Sequence, residues 1–297
     1  MRVTRFTRLF ALAALAAGTL SAGRADAAMI VNDNFDSYAN QAAFEAVWPA
    51  VGTSAALSSA QASSAPNSVL VAGSIAPATT SGRNRQSFAE TSTIGTIADM
   101  TTKISFSFDF YDSAPTGAPQ RNYVNLQDTT APTATNQLVA LGFNNNQSGA
   151  NSGGQYFMAR ILGYTVPTTA DPDGGPAESV GGAGAFFKLN DFGVGLRGTQ
   201  AGWRNLKVVI SSDDGLSTDY EFFVDNVLAE RVSNVGTTAS IRSFDNIALG
   251  SGLTNGNVAV GFDNVRLEVI TIPEPATLAL AGMGLLGMVS FARRKNA

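Results

Sequence analysis

Carboxylates carry whatever side-chain chemistry this sequence can perform, because its 297 residues include no histidine and no cysteine. Without an imidazole or a thiol, neither a Ser-His-Asp nor a Cys-His nucleophile can be assembled. Zinc, copper and haem lose their usual ligands, and no disulfide or thiol redox chemistry is possible. Three options are left: oxygen-ligand binding of Ca²⁺ or Mg²⁺, acid–base work by carboxylate pairs, or no catalysis.

The spacing of the acids narrows this further. Glycoside hydrolysis needs two carboxyl groups flanking the scissile bond, but Glu45, Glu90, Glu178, Glu221, Glu230 and Glu268 stand far apart. Asp219 and Glu221 straddle Tyr220, an arrangement that commonly serves a solvated strand face. Asp171-Pro-Asp173-Gly174, with Glu178 beyond it, lacks the ligand count and spacing of an EF-hand. Gly193-Val-Gly195-Leu-Arg-Gly198 fits the G-x-G-x-x-G pattern. That pattern needs a preceding parallel strand and a following helix to receive a pyrophosphate. Here Thr-Gln-Ala-Gly-Trp and another extended run follow, so these glycines shape a strand or loop. Trp48, Trp203, Tyr123, Tyr156 and Tyr164 could stack on sugars, but core packing is the expectation for the two tryptophans.

The elements that must position these residues are strands. Ile104, Phe106, Phe108 and Phe110 alternate with Ser105, Ser107 and Asp109, and Leu206, Val208 and Ile210 alternate with polar neighbours. Tyr220, Phe222 and Val224 repeat the pattern. Further strands are expected at 68–72, 123–127, 138–143, 155–162, 185–189, 244–249 and 257–270. Turn-rich spacers at 113–119, 144–149 and 213–215 separate them. Gln41–Val47 is the single helical candidate in this region. Thr53–Ser68 and Pro167–Gly184 read as low-complexity, mobile loops. Many short strands with polar turns predict an all-β fold, an antiparallel β-sandwich or jelly roll.

The closing strand carries one anomaly. Val258, Val260 and Phe262 share one phase, whereas Val265, Leu267 and Val269 share the other. A strand keeps one face buried through such a slip only by inserting a residue, so a β-bulge is expected at Asp263-Asn264. An apolar residue followed by Asp-Asn also occurs at Val224-Asp225-Asn226 and Phe244-Asp245-Asn246, without aligned flanks.

Both ends read as addresses. Arg2, Arg5 and Arg8 precede a short apolar run, and Ala25-Asp26-Ala27 supplies a small-residue cleavage site. This is the pattern of a Sec-type signal peptide over 1–27, implying the Sec translocon and signal peptidase as partners. At the other end Pro273-Glu274-Pro275 precedes 17 uncharged residues, Ala276 to Ala292, then Arg293, Arg294 and Lys295. That run is at the short end of a single transmembrane helix, with its basic tail on the cytoplasmic side. Residues 272–297 resemble the PEP-CTERM sorting signal of Gram-negative, exopolysaccharide-producing bacteria. The resemblance implies an exosortase that removes the tail near Pro-Glu-Pro. It also implies transient anchoring in the inner membrane, then release to the cell surface or extracellular matrix.

Between the ends lies one ectodomain, 28–271. Residues 28–272 hold 12 Lys and Arg against 21 Asp and Glu, a net charge of −9. The basic residues are scattered, with no run or stripe, so nucleic acid is not an expected partner. The opening segment Asn32 to Tyr38, the strands after Gly202-Trp203 and Asp219, and the closing Phe-Asp-Asn-Val strand resemble the concanavalin-like, laminin-G or lectin/glucanase sandwich. That resemblance implies paired first and last strands beside a structural calcium, with Asp33, Asp36 and Asp263 as ligands. Hard Ca²⁺ wants converging carboxylates and carbonyls, yet the same aspartates suit turns and exposed positions. No other cofactor is expected. The function expected is an exported, non-catalytic structural or adhesive protein of the surface or exopolysaccharide matrix. The alternatives are a lectin-like carbohydrate-binding module, with or without calcium, and a polysaccharide-degrading enzyme.

Overall fold

The computed structural model describes residues 26–52, 54–71, 83–89, 91, 101–113, 121–129, 137–144, 156–162, 186–198, 200–212, 218–234, 243–250 and 260–271. The expected signal peptide before residue 26, the sorting residues Pro273 to Lys295, Tyr164 and the 167–184 loop with Asp171 and Asp173 lie outside these. Ala28–Val269 form one compact unit. Among the described residues no helix is long and apolar enough to cross a membrane.

In chain order the elements are β1 (Asp26–Asp33), α1 (Gln41–Val47), β2 (Ala50–Val51), β3 (Ala56–Ser58), β4 (Ser68–Val71), β5 (Arg83–Ser87), β6 (Thr102–Asp112), β7 (Arg121–Asp128) and β8 (Gln137–Asn144). There follow β9 (Met158–Leu162), β10 (Phe187–Lys188), β11 (Gly202–Ser211), β12 (Thr218–Val224), β13 (Val227–Asn234), β14 (Asn246–Leu249) and β15 (Val260–Thr271). Sheet A has the order β13-β12-β11-β6-β15-β4-β3, and β1 also pairs with β15. Sheet B has the order β10-β9-β8-β7-β14-β5-β2. Antiparallel pairing runs through both. The expected all-β fold is observed, and its first strand meets its last.

Alternation builds the core. Ile104, Phe106 and Phe108 of β6 stand opposite Ile210, Val208 and Leu206 of β11, all fully buried. Rings then join the sheets: Phe110 meets Phe157 edge-on at 5.9 Å, and Phe187 of β10 meets Phe222 of β12 at 5.6 Å. Each such ring contributes about 1.5–3 kcal/mol through burial. One ion pair ties the same layers. Arg197 donates from Nε and Nη2 to Asp112 at 2.6 Å each, and its guanidinium lies 3.4 Å from the centre of the Phe143 ring on β8. Gly195 permits that segment's close approach, because a Cβ there would fall 1.6 Å from the Leu189 carbonyl oxygen. The G-x-G-x-x-G glycines therefore shape a packed loop.

Two local expectations are met and one is corrected. The phase slip in β15 is real: Val260, Phe262, Val265 and Leu267 are all buried, and Asn264 takes φ 49° between them. The helix occupies the expected residues. The Asn40 side chain caps it from Ala43 N–H at 3.0 Å, and Phe44 is buried. The 53–68 segment, however, is more than a low-complexity loop. Ala56–Ser58 pairs with β4, and the stretch beyond it is held by side chains. Asp263 accepts from the Ser63 and Ser64 N–H groups at 2.8 and 2.9 Å, and Asp36 accepts from Asn67 N–H at 2.9 Å. Composition hides such anchoring because the carboxylates come from distant strands.

Candidate binding face on sheet B

The strands of sheet B send one set of side chains into the core: Val124, Leu126, Val139, Leu141, Phe143, Ile161, Ile247 and Leu249. Strand alternation forces the intervening residues onto the opposite, outer face. Register lines them up in rows. Arg85 stands opposite Ala248, Ala248 opposite Asn125, Asn125 opposite Ala140, and Ala140 opposite Arg160. The next row runs Ser87, Asn246, Gln127, Leu138. On the other side Tyr123, Gly142, Met158 and Lys188 follow one another, and Arg83 precedes Arg85 on β5. A Cβ at Gly142 would lie 2.6 Å from Tyr123 Cα, so β8 can pass this close only as glycine.

This face combines three kinds of group. Tyr123 and Phe186 pack ring to ring at 5.0 Å over Ala140 and Met158, a small apolar cluster separate from the main core. The Arg160 guanidinium lies 5.6 Å from the centre of the Phe186 ring, and Lys188 Nζ lies 6.0 Å from that of Tyr156. Asn125, Gln127 and Asn246 are 3%, 2% and 3% exposed. Their side-chain oxygens, and Arg85 Nε, are buried with no hydrogen-bond partner. Asn246 Nδ2 donates to Ser87 Oγ at 2.9 Å. Buried amides normally find partners, and an orphaned one costs about 1–3 kcal/mol. Three such orphans share one strand face whose central residues are themselves almost wholly buried. Burial first, and the Arg85 charge second, push the Arg83 guanidinium below its ordinary value, opposed by the Tyr123 phenol. No Asp or Glu stands among the described residues of these rows.

The residues singled out for calcium, Asp33, Asp36 and Asp263, are placed as follows. Asp33 accepts from the Tyr38 hydroxyl, from Trp48 Nε1 at 2.8 Å and from Phe35 N–H at 2.8 Å. Burial and this carboxylate raise the Tyr38 phenol well above its usual range. Asp36 accepts from Asn67 N–H and from Asn34 Nδ2 at 2.6 Å. Asp263 is fully buried and takes three N–H bonds, from Ser63, Ser64 and Asn264. Burial raises its pKa to about 6, against the lowering by those N–H groups. Among the described residues no group of three or more Asp or Glu side chains is arranged to hold a metal ion. Asp219 and Glu221 meet Ser233 and Arg231 across the β12–β13 pair.

Trp48 is core, as expected. Trp203 is instead half-buried on the outer face of sheet A, packed on Tyr111 at 5.2 Å. Of the sheet B face, the sequence pointed to Tyr123 and Tyr156. The basic residues looked scattered because strand pairing, not sequence order, brings 83, 85, 160 and 188 onto one surface. The available signal was β7 itself, where Tyr123, Asn125 and Gln127 alternate with Val124 and Leu126 on a strand with no charged residue between them.

Residues 271–295 match the family model of the PEP-CTERM protein-sorting motif. The chain thus carries the sorting signal of exported proteins processed by an exosortase. No curated protein matches. Among solved structures, a carbohydrate esterase from the Shiga toxin-encoding bacteriophage phi24B is similar at TM-score 0.48 and 11% identity, covering 82% of this chain and 99% of that one. An alginate lyase is similar at 0.47 and 10%, covering 80% and 95%. An endo-1,3-beta-glucanase from Streptomyces sioyaensis is similar at 0.46 and 16%, covering 82% and 97%. At such scores none assigns a ligand or an activity to this chain.

Proposed function

We propose that this protein is a non-catalytic component of the cell surface or exopolysaccharide matrix, and that the outer face of sheet B binds carbohydrate. One observation carries the reading: the buried, unpartnered oxygens of Asn125, Gln127 and Asn246 share one strand face. Sugars present hydroxyl donors at close intervals, and amides can both accept from and donate to them. The lack of histidine and cysteine in the chain favours binding over turnover. The sorting motif supports delivery through the Sec pathway and the inner membrane to where polysaccharide is found.

A glycan array tests this. The protein is expected to retain at least one polysaccharide, to lose it on Gln127→Leu, and to leave its chain length unchanged on long incubation. No retained glycan would overturn the binding reading. Shortening of the polymer would replace the non-catalytic reading with degradation.

A further inference from the structure

We infer that the outer face of sheet A holds a site for an acidic sugar unit, with the sugar carboxylate bound by Arg266 and Lys207 above Ser107 and an adjoining ring laid on Trp203. The site is separate from the sheet B face and goes beyond that reading.

The first argument is how the backbone delivers these groups. In β15 the inward phase of Val260 and Phe262 would carry residues 264 and 266 into the core. The bulge reverses that phase, with Asn264 at φ 49°, and turns Asn264 and Arg266 outward. Asn264 Nδ2 donates to Asp109 of β6 at 2.8 Å, and Arg266, two residues on, borders the same hollow as Ser107. On the other flank of β6, register sets Lys207 opposite Ser107 and Asn205 opposite Asp109. The β12–β13 turn adds Asn226, whose Oδ1 accepts from Lys207 Nζ at 3.3 Å. Together these groups line an open hollow of about 320 Å³, in the size range of small-ligand sites. Each of them is half-buried or exposed, so a ligand can reach it.

The second argument is charge. Asp109 is the one acid among the lining residues. Its oxygens are occupied by Asn205 Nδ2, Asn264 Nδ2 and the Ser63 hydroxyl, at 2.8, 2.8 and 2.6 Å. It therefore positions the amides and leaves Asn205 Oδ1 and Asn226 Nδ2 for sugar hydroxyls. Arg197, Arg204 and Arg231 each hold an acid, whereas the exposed Arg266 takes part in no ion pair among the described residues. Lys207 gives Asn226 one of its three donors. The strands of Arg266 and Lys207 flank β6, about 9–10 Å apart, a gap that two long side chains close on one carboxylate.

The third argument is the neighbouring platform. A Cβ on Gly261 would fall 2.9 Å from Tyr111 Cβ and 3.0 Å from Trp203 Cη2, so glycine there lets the indole settle across β6. Trp203 is two residues from Asn205 on β11, about 6–7 Å along the strand, or roughly one sugar ring from the hollow.

The purified protein is titrated with a four-unit oligouronide, with the same oligomer after reduction of its carboxyl groups to alcohols, and with acetate. The oligouronide is expected to bind at least about tenfold more tightly than its reduced form, and less tightly as salt rises. Arg266→Gln should erase that preference with the melting temperature unchanged, and Lys207→Gln, an independent variant should the first melt early, should do the same. Lys103→Gln, at the far end of the same face of β6, should leave the affinity as it was. Equal affinity for the reduced oligomer, or no binding of either, would overturn the site. Acetate that competes at the oligomer's own concentration would show an anion spot without sugar recognition and overturn it too, as would an equal loss with Lys103→Gln. Loss with Gln127→Leu in place of Arg266→Gln would put the ligand on sheet B, overturning this site while upholding the sheet B reading.

Discussion

The outer face of sheet A and the outer face of sheet B are built from the same kind of strand but resolve their polar groups in opposite ways. On sheet A, Asp109 accepts from Asn205 and Asn264 at 2.8 Å each, Glu221 pairs with Arg231 at 3.0 Å, and Asn226 accepts from Lys207 at 3.3 Å. Those polar groups answer one another across neighbouring strands. On sheet B the amide oxygens of Asn125, Gln127 and Asn246 have no partner. A solvated face satisfies itself, whereas unpartnered groups under cover keep capacity for a donor. The contrast separates the two without reference to any relative.

The largest effect expected from disturbing this contrast lies where charges are paired and buried. Arg197→Met strands Asp112 in the core and should lower unfolding free energy by about 3–5 kcal/mol, read by denaturant titration. Arg85→Gln, on sheet B, should leave that titration nearly unmoved and act on ligand binding alone. Next come the orphaned amides. Asn125→Leu/Gln127→Leu should abolish glycan retention while the melting temperature holds or rises, because an unpartnered buried amide is removed.

A carboxyl without a cation sharpens the comparison from the acidic side. Glu230 on β13 is fully buried and sits beside Asp191. Burial first, then the hydrogen bond with Asp191, raise it from 4.5 to about 9, while N–H groups of Asn190 and Asp191 pull the other way. The folded state therefore holds a proton that the unfolded chain has lost. Stability should be full below pH 4.5 and decline as pH rises to about 9. Glu230→Gln should flatten that decline in melts taken across the window. The smallest effect belongs to the exposed pair: Arg231→Gln should change stability by less than about 1 kcal/mol and leave glycan retention intact.

Much of the scaffold could be read from the residues alone. β6 was legible because Phe106, Phe108 and Phe110 alternate with polar residues, and the β15 bulge was legible because its apolar phase slips at Asp263-Asn264. The β12–β13 hairpin was not. Its turn is Asp225-Asn226 with φ 52° and 64°, a two-residue reversal that lacks the glycine by which such turns are read from sequence. β5 was illegible for a more telling reason. Arg-Asn-Arg-Gln-Ser shows no apolar phase, because Asn84 on the inner side bonds Ala55 N–H and the Trp48 carbonyl while Arg83 and Arg85 occupy the outer side. The strand that contributes most charge to the proposed face is the one that hydrophobic alternation cannot find.

The central claim is that the unpartnered amides of sheet B are there for a glycan and not for the fold. Paired measurements on Gln127→Leu test it most directly: thermal melting, and retention of the polysaccharide bound by the unaltered protein. An unchanged or higher melting temperature with retention lost is the predicted result. A lower melting temperature with retention kept would contradict it.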